Sequence, residues 1–530
     1  MGKIEILDCT LRDGGYCNQW HFGYNNINKI VNSLLEANVN IIECGFLSNV
    51  VQYNSDITKF TSTDQISDFI PSNHEDKLFV AMINYGEYEI ADLKEYDGKS
   101  IDGIRVAFHK KNVNEALKLC EDIKKKGYKV FIQAMVSLCY SDEEFLDMIQ
   151  KTNQLEPYAF YIVDSFGEMK KSDLIRLFYL VEHNLKDTIK IGFHSHNNMQ
   201  LAYSNAQALV DLHSKRDLII DSSVYGMGRG AGNLNTELFV EYLNDTNGGK
   251  YELKPLLAII DEILNNFYQN NCWGYSLPNY LSAAHHIHPN YAGYLDDKKT
   301  LTVESMNAIF DLIDEDKKVS YDKEYIENLY VRYMDTGRVH EEHKSELIER
   351  LAGKIVLLIA AGPSSVNEKE RIVAFACRKD VITISVNHNY PYTNTDFIFL
   401  SNLRRYRELE PSAREKCIAT SNIPADGVYL QTKYRDLLTD VEAVRDNACL
   451  MAIKFLAMLG VKQIYLAGLD GYTHDDRQNY GDKSMSVAMK NAVLDAINEG
   501  IKQVLWIYRK TLDIKFLTTP KLIDITNFSA

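Results

Sequence analysis

Two histidines separated by a single residue are the first candidates for chemistry in this sequence. His194 and His196 stand in the run Gly192–Asn197, at the end of a strand-like stretch. Because side chains alternate along a strand, both imidazoles should point the same way. With a carboxylate from the end of the first strand-like run, they can hold a divalent cation and leave coordination positions open. The alternative is that both histidines are hydrogen-bonded structural residues.

Other polar residues stand at the ends of further strand-like runs. They are Arg12 and Asp13 after the first run, Glu43 in the second, Gln133 in the fifth, and Asp164 and Ser165 after the sixth. If the runs form a barrel, these ends meet at the face that carries catalysis in such folds. For Asp164, a cap on the following helix is an equally good interpretation.

A glycine-rich segment, Gly226–Asn233, follows the last of these runs. It does not follow a first strand and lacks the G-x-G-x-x-G spacing, so we do not interpret it as a dinucleotide loop. Glycines here would let the backbone approach a metal or substrate closely. Asn233 could supply a carbonyl oxygen to the metal.

The elements that must position these residues alternate between strand-like and amphipathic stretches. Eight strand-like runs are recognisable, at Ile4–Leu7, Ile41–Cys44, Leu78–Met82, Gly103–Ala107, Lys129–Met135, Ala159–Val163, Ile189–Phe193 and Leu218–Asp221. Alternating elements imply parallel strands with right-handed crossovers. We therefore predict a (β/α)₈ TIM barrel over residues 1–250. An open doubly wound sheet is the alternative, and the absence of a glycine-rich turn after the first strand counts against it.

The rest of the chain falls into two parts. Residues 251–350 lose the strand pattern and are predicted to form a helical appendage and linker. Strand-like runs return near residue 354, so residues 351–530 are predicted to form a Rossmann-like α/β domain.

Three motifs in the barrel region resemble a known superfamily. They are Leu11–Gly14, Gly192–Asn197 and Gly228–Asn233. In this order they resemble the metal-dependent pyruvate-carboxyltransferase-like barrels, which include hydroxymethylglutaryl-CoA lyase and isopropylmalate synthase. The resemblance covers about residues 3–245 and is strongest to the 4-hydroxy-2-oxovalerate aldolase-like branch. It implies cleavage of a 4-hydroxy-2-oxo acid to pyruvate and an aldehyde, or the reverse.

The same resemblance assigns roles to individual residues. It implies Asp13, His194 and His196 as metal ligands with Asn233 as a candidate fourth, and it implies Arg12 as the cation facing the enolate oxygen. Mn²⁺ or Mg²⁺ suits such a mixed nitrogen and oxygen site, with Zn²⁺ and Co²⁺ as alternatives. We expect Gln133, Asp164 and Ser165, together with Arg12, to contact the small 2-oxo acid substrate.

The catalytic base is the one departure from the family pattern. Tyr16 stands where the aldolase branch has a histidine. With a reference pKa near 10, a tyrosine is a poor base unless its environment changes that value. His21, Glu43 and His109 are the alternatives. An acyl-CoA-dependent Claisen-type synthase or lyase shares the same metal site and remains an alternative. The departure at Tyr16 leaves open a non-catalytic metal-binding scaffold.

The C-terminal region carries a weaker signal. The turn Ala361–Ser365 follows a buried strand and could cradle a phosphate, although it lacks the Walker lysine. With the run Ile464–Gly471 it faintly resembles the methanopterin-pyrophosphokinase-like and flagellin-glycosylation-associated group. That resemblance implies a nucleotide or nucleotide-sugar ligand; the alternative is a domain used for docking or oligomerisation.

Composition limits the other classes of function. The 530 residues are 45% hydrophobic and 25% charged, so the chain can bury substantial cores. A formal charge of −15 argues against nucleic acid or an anionic membrane as a partner. The longest strongly apolar run, Ile355–Ala361, is far too short to span a bilayer. We expect a cytoplasmic homo-oligomer.

Overall fold

The computed structural model describes residues 2–72, 76–248, 250–335, 339–487, 489 and 491–521. The chain divides into two compact units. The barrel unit comprises Met1–Gly293 and Glu315–Tyr321, and the C-terminal unit comprises Tyr294–Asp314 and Asp322–Ala530. Within the described ranges, no helix is both long and apolar enough to cross a membrane.

The strands of the barrel unit form a closed parallel barrel, as the alternating pattern predicts. They are β1 (Ile4–Asp8), β2 (Ile41–Leu47), β3 (Lys59–Phe60), β4 (Leu78–Asn84), β5 (Gly103–Phe108), β6 (Lys129–Ala134), β7 (Ala159–Asp164), β8 (Lys190–Ser195) and β9 (Leu218–Ser222). From β4 to β9, each strand pairs with the next strand in the chain, and β4 also pairs with β2. β1 pairs with both β9 and β2, which closes the ring. The short β3 pairs with β2 outside it.

Some helices of the barrel unit begin at a side-chain cap. The helices are α1 (Gly15–Asn18), α2 (Tyr24–Glu36), α3 (Thr63–Ser67), α4 (Val113–Lys125), α5 (Asp142–Leu155), α6 (Lys171–Asn184), α7 (Ala202–Asp211), α8 (Thr236–Asn247), α9 (Leu253–Ile259), α10 (Asn265–Asn270), α11 (Leu277–Ala284) and α12 (Pro289–Asp297), whose last four residues belong to the C-terminal unit. At α5, Ser141 accepts from the Glu144 backbone while the Glu144 carboxylate accepts from the Ser141 backbone. Such reciprocal capping fixes where the helix starts.

Two layers of apolar side chains hold the barrel unit together. Inside the ring, Leu7, Phe131, Tyr161 and Ile219 belong to one buried cluster. A larger cluster lies between strands and helices, and it includes side chains of α9 and the aromatic Trp273. The segment that follows the last barrel strand and its helix therefore contributes to the core of the barrel.

The C-terminal unit contains an open, fully parallel sheet, which confirms the predicted α/β class. Its elements are α13 (Val303–Phe310), α14 (Lys323–Met334), α15 (Lys344–Leu351), β10 (Ile355–Ile359), α16 (Ser364–Asn367), α17 (Lys369–Ala376), β11 (Val381–Val386), β12 (Phe397–Leu400), α18 (Leu403–Glu408), α19 (Pro411–Arg414), β13 (Cys417–Thr420), β14 (Leu430–Thr432), α20 (Ala448–Met458), β15 (Gln463–Ala467), α21 (Asn491–Tyr508) and β16 (Asp513–Phe516). The strand order is β14-β13-β12-β11-β10-β15-β16. Strands β11 to β14 are added in chain order on one side of β10, and β15 and β16 are added on its other side. The direction in which strands are added therefore reverses between β10 and β15.

A buried carboxyl at the end of β1 ties three parts of the barrel unit together. Asp8 accepts a hydrogen bond from the Thr10 backbone (2.9 Å) and another from the Thr236 hydroxyl (2.7 Å), which lies 2.8 Å from Ser222 Oγ. Burial raises the pKa of Asp8 to about 6, although both hydrogen bonds oppose the rise. The folded protein therefore binds more protons here than the unfolded chain between about pH 4 and pH 6.

Replacing Asp8 with asparagine should remove this pH dependence. The amide keeps both contacts, because it can accept from Thr10 and donate to Thr236, whose own hydrogen then turns to Ser222. The stability of the natural protein should fall by up to about 3 kcal/mol relative to Asp8→Asn as pH rises through that window. Urea unfolding of both proteins at pH 4.5 and 7.5 measures the difference. If the free energies of unfolding of the two proteins differed by the same amount at pH 4.5 and at pH 7.5, the prediction would be contradicted.

Candidate metal centre and active site

One carboxylate and two imidazoles meet inside the mouth of the barrel. Asp13 lies in the turn after β1, and His194 and His196 lie at the end of β8. All three are buried, and each offers one ligand atom such that these atoms lie within 4.8 Å of one another. The positions are those that the sequence predicts for a metal site.

The polar atoms of this cluster fit a divalent cation. Two buried acceptors, His196 Nδ1 and Asn233 Oδ1, have no hydrogen-bond partner among the described residues. Asn233 is held in place because its Nδ2 donates to Asp13 Oδ2 at 2.7 Å. Burial lowers the pKa of His196 to about 3, so its ring is neutral, the form that binds metals. A carboxylate, two imidazoles and an amide oxygen are a suitable donor set for such an ion.

The glycine-rich segment reaches this cluster, as expected. A Cβ atom on Gly228 would lie 2.2 Å from Asn233 Nδ2 and 2.7 Å from Asp13 Oδ2. Real Cβ atoms essentially never come this close to other atoms, so a glycine lets this turn pass the two candidate ligands.

A second carboxylate orients one of the imidazoles. Asp221, at the end of β9, lies 2.9 Å from His194 Nδ1, which leaves Nε2 for a metal. Asp221 also accepts from the buried guanidinium of Arg105. Burial would raise the pKa of Asp221, but Arg105 and His194 outweigh it and lower the pKa. A carboxylate that holds a ligating histidine in one tautomer is a common feature of metal centres.

Replacing Asp221 with asparagine should weaken metal binding without removing a ligand. Loss of the orienting charge at a ligating histidine typically costs about 10- to 100-fold in metal affinity. Competition for Mn²⁺ against a chromophoric chelator measures the change. Asp187→Asn is the matched control, since Asp187 pairs with Arg216 at the surface, 3.0 Å away. Equal affinities for Mn²⁺ in Asp221→Asn and Asp187→Asn would show that Asp221 does not contribute to metal binding.

Arg12 lies beside the cluster with one donor free. Its Nη1 lies 2.6 Å from Asp13 and its Nε lies 2.8 Å from Glu43. Its Nη2 is buried without a hydrogen-bond partner in the described part of the chain. Burial alone would lower the pKa of Arg12, but Glu43 and Asp13 outweigh it and raise the pKa well above its usual value. Arg12 therefore offers a fixed positive charge and an unused N–H to this site.

Glu43 and Gln133 pair with a residue that sequence reasoning missed. The Glu43 carboxylate accepts from Arg12 and, at 2.7 Å, from Arg105 Nη1. The Gln133 amide oxygen, in the orientation that satisfies its neighbours, accepts from Arg105 Nη2 at 3.0 Å. The available signal was an arginine in the middle of the otherwise apolar strand β5. Glu43, tied to two guanidinium groups, is poorly suited to act as a base.

Asp164 and Ser165 hold the loop after β7. Asp164 accepts from the backbone of Glu168 (3.0 Å) and Met169 (3.2 Å), which lie in the loop before α6. The cap of α6 is Lys170, so Asp164 closes the loop and does not cap this helix. Burial raises its pKa to about 7. The Ser165 hydroxyl accepts from the Val136 backbone at 2.9 Å. Both residues are buried at the end of the strand.

The three other candidates for the base are Tyr16, His21 and His109, and His109 is half-buried directly after β5. Tyr16 is the second residue of α1 and is 39% exposed, and Arg229 lies 5.6 Å from its ring centre. Desolvation raises the pKa of Tyr16, so the hydroxyl keeps its proton near neutral pH and is even less available as a base. His21 is exposed, and its main chain pairs with Ile57.

Histidines from the segment before α12 lie against the same mouth. His286 Nδ1 lies 2.7 Å from Glu168, and His288 Nε2 lies 3.5 Å from Arg229 Nη1. Arg229 in turn donates to the Ser165 carbonyl at 3.0 Å. Sequence reasoning gave Arg229 no role, although it stands in the glycine-rich motif. These contacts link the helices after the barrel to the loops that surround the cluster.

Comparisons with known proteins agree with this geometry. Residues 3–259 match the family model described as HMGL-like. A 4-hydroxy-2-oxovalerate aldolase from Geobacillus genomosp. 3 is 29% identical over 248 residues, covering 46% of this chain and 70% of that protein. The 4-hydroxy-2-oxovalerate aldolase of Pseudoalteromonas translucida (strain TAC 125) is 26% identical over 246 residues, with the same coverage.

This chain is also similar to solved structures. The HMG-CoA lyase from Brucella melitensis is 16% identical, with a TM-score of 0.39, and the match covers 51% of this chain and 98% of the other. Residues 3–259, which carry the buried Asp13, His194 and His196, thus form a domain of the HMGL-like family, and the chain is an enzyme of the lyase type.

Proposed function

We propose that the barrel unit cleaves a 4-hydroxy-2-oxo acid to pyruvate and an aldehyde, or runs the same reaction backwards. The observation that carries the proposal is that Arg12 Nη2, beside the Asp13, His194 and His196 cluster, has no hydrogen-bond partner among the residues described above. The relatives named 4-hydroxy-2-oxovalerate aldolase support the choice of substrate class.

The proposed cleavage needs a stabilised enolate. A base takes the proton of the 4-hydroxyl group, the C3–C4 bond breaks, and its electron pair forms the C2–C3 double bond of the pyruvate enolate. The carbon at position 4 leaves as the aldehyde, and protonation at C3 completes pyruvate. When bound by Asp13, His194, His196 and Asn233, Mn²⁺ or Mg²⁺ would polarise the 2-oxo group.

Arg12 supplies the second stabilising charge in this proposal. Its free N–H would donate to the oxygen that becomes negative, and Glu43 and Asp13 hold the guanidinium in place. A donor placed before the reaction begins loses little energy to reorganisation.

Tyr16 has a different role from that of the family histidine in this proposal. Because its pKa is raised, Tyr16 keeps its proton, and we assign it hydrogen-bond donation to the departing oxygen rather than proton removal. Its position next to Arg229, at the partly exposed end of α1, suits an aldehyde that enters and leaves through the mouth.

A direct test follows pyruvate release from 4-hydroxy-2-oxopentanoate. Lactate dehydrogenase and NADH report pyruvate, with Mg²⁺, Mn²⁺, Co²⁺ or Zn²⁺ added to metal-stripped protein. The same metals are tested with pyruvate and a series of aldehydes in the condensing direction. Turnover that requires a metal supports the proposal.

Absence of turnover in both directions with every metal would contradict it. Proton exchange into acetyl-CoA would then favour the acyl-CoA-dependent alternative. Metal binding without either reaction would favour a scaffold.

A further inference from the structure

A large cavity lies within the C-terminal unit, apart from the proposed aldolase chemistry. Its volume is about 750 Å³, and its lining includes Gly362, Asn387, Asn402 and Asp470. These residues follow β10, β11, β12 and β15, so the cavity opens at the carboxyl ends of the strands. It includes the point between β10 and β15 where the winding reverses. Open α/β sheets bind ligands at this place, and the volume is that of a small-molecule site.

Asp470 places an unused acceptor in the cavity. The residue is 3% exposed, and its Oδ2 accepts from the Ser364 backbone at 2.7 Å. Its Oδ1 is buried and has no hydrogen-bond partner among the residues that the structure describes. A buried carboxylate oxygen without a donor is costly, so a ligand hydroxyl that donates to it would be favoured.

The same carboxylate changes the interpretation of the turn Ala361–Ser365. Asp470 Oδ2 occupies the Ser364 N–H, and a Cβ on Gly362 would lie only 2.7 Å from that oxygen. The turn therefore does not offer this N–H to a phosphate. A phosphate must bind elsewhere in the cavity.

Four cationic side chains line the cavity, Lys298, Lys299, Lys323 and Arg405, and three of them are candidates to bind the phosphate. Lys298 has only 14% of its side chain exposed and lies 3.2 Å from Glu327. Lys323 pairs with Glu442, and Arg405 lies 3.0 Å from Glu408 while donating to the Met485 carbonyl. These cations come from α14, α18 and the segment directly after α12, so three separate parts of the C-terminal unit bring them to the cavity. An arginine and lysines at one cavity suit a phosphoryl group.

We propose that this cavity binds a phosphate ester of a sugar, with a sugar hydroxyl donating to Asp470 Oδ1 and the phosphate held by Lys298, Lys323 and Arg405. The shared chemistry is a hydroxyl-bearing sugar joined to a phosphate, which occurs in simple sugar phosphates and in nucleoside phosphates. The site is independent of the aldolase proposal, because every lining residue belongs to the C-terminal unit.

Isothermal titration calorimetry of the full chain tests this site. The probes are ribose 5-phosphate, glucose 1-phosphate, AMP, UMP and UDP-glucose, with inorganic phosphate, ribose and uridine as partial ligands. We expect one or more phosphate esters to bind at least tenfold more tightly than any partial ligand. Tighter binding of the nucleotides would identify a nucleoside phosphate, and tighter binding of the first two would identify a sugar phosphate.

Two variants separate the two ends of the ligand. Asp470→Asn keeps an acceptor for Ser364 but should weaken binding of the phosphate ester about tenfold or more. Lys298→Gln should weaken the phosphate ester and leave uridine and ribose unaffected. Lys502→Gln, on the exposed face of α21, is the control and should bind as the natural protein does.

Two results would overturn the inference. One is that no phosphate ester binds at millimolar concentration, and the other is that binding is unchanged in both cavity variants. If Asp470→Asn fails to fold, as judged by circular dichroism, Lys298→Gln still decides the outcome. Aldolase activity of the same samples is recorded separately, since its loss or presence does not bear on this site.

Discussion

Asp13→Asn should abolish both metal binding and turnover. Asp13 is the only carboxylate in the described cluster that shares a site with His194 and His196, and it also anchors Arg12 and Asn233. Burial would raise the pKa of Asp13, but Arg12 and His196 outweigh it and hold the pKa well below its usual range. The neutral amide offers the metal no charge. Since a metal supplies several kcal/mol of stabilisation, kcat/KM should fall by about 10³-fold or more.

Metal content and kinetics are measured on the same samples. Asp147→Asn is the control, since Asp147 also pairs with a cation, Lys151 at 2.6 Å, but on the exposed surface of α5. A variant that keeps one bound metal and near-normal kcat/KM would show that Asp13 is not a ligand. Excess Mn²⁺ should restore little activity, because the missing group is a ligand and not merely an orienting contact.

Arg12→Lys should reduce catalysis while leaving the metal in place. A lysine keeps the positive charge but cannot contact Glu43, Asp13 and a substrate oxygen together, as the guanidinium can. Removal of one prepositioned donor of this kind costs about 10²- to 10³-fold in kcat. The loss should be in kcat more than in KM, because the oxygen bears full charge only as the enolate forms.

The control for this variant is a surface arginine. Arg176 pairs with Asp142 in an exposed position, so Arg176→Lys should keep the natural kinetics. A normal kcat in Arg12→Lys would show that Arg12 does not stabilise the enolate. Loss of metal along with activity would instead mean that Arg12 acts by holding Asp13.

Much of the fold follows from local patterns in the sequence. Apolar runs such as Ala159–Val163 are buried throughout, and each is followed by an amphipathic stretch, so strand and helix alternate visibly. The short β3 has no such pattern, because two residues cannot display a period. The contribution of α9 and Trp273 to the barrel core was also not predictable, since it depends on where the chain returns after the last strand.

The candidate site also has a part that sequence motifs predict and a part that they do not. Asp13, His194 and His196 stand in recognisable motifs, and strand ends place them together. Arg105 and Asp221 are 116 positions apart in sequence and pair across the barrel interior. Nothing in either local sequence shows that pairing, because a charge inside a buried strand has many candidate partners before the barrel closes.

The central claim is that a pyruvate enolate forms at this centre. Exchange of the methyl protons of pyruvate for deuterium tests it most directly. The protein is incubated in D₂O with pyruvate and Mg²⁺ or Mn²⁺, and NMR follows the methyl protons after any paramagnetic metal is removed. The account predicts exchange that requires the metal and is lost in both Asp13→Asn and His194→Ala. Exchange that persists in both variants, or no exchange with any metal although the metal is bound, would contradict an enolate formed at this centre.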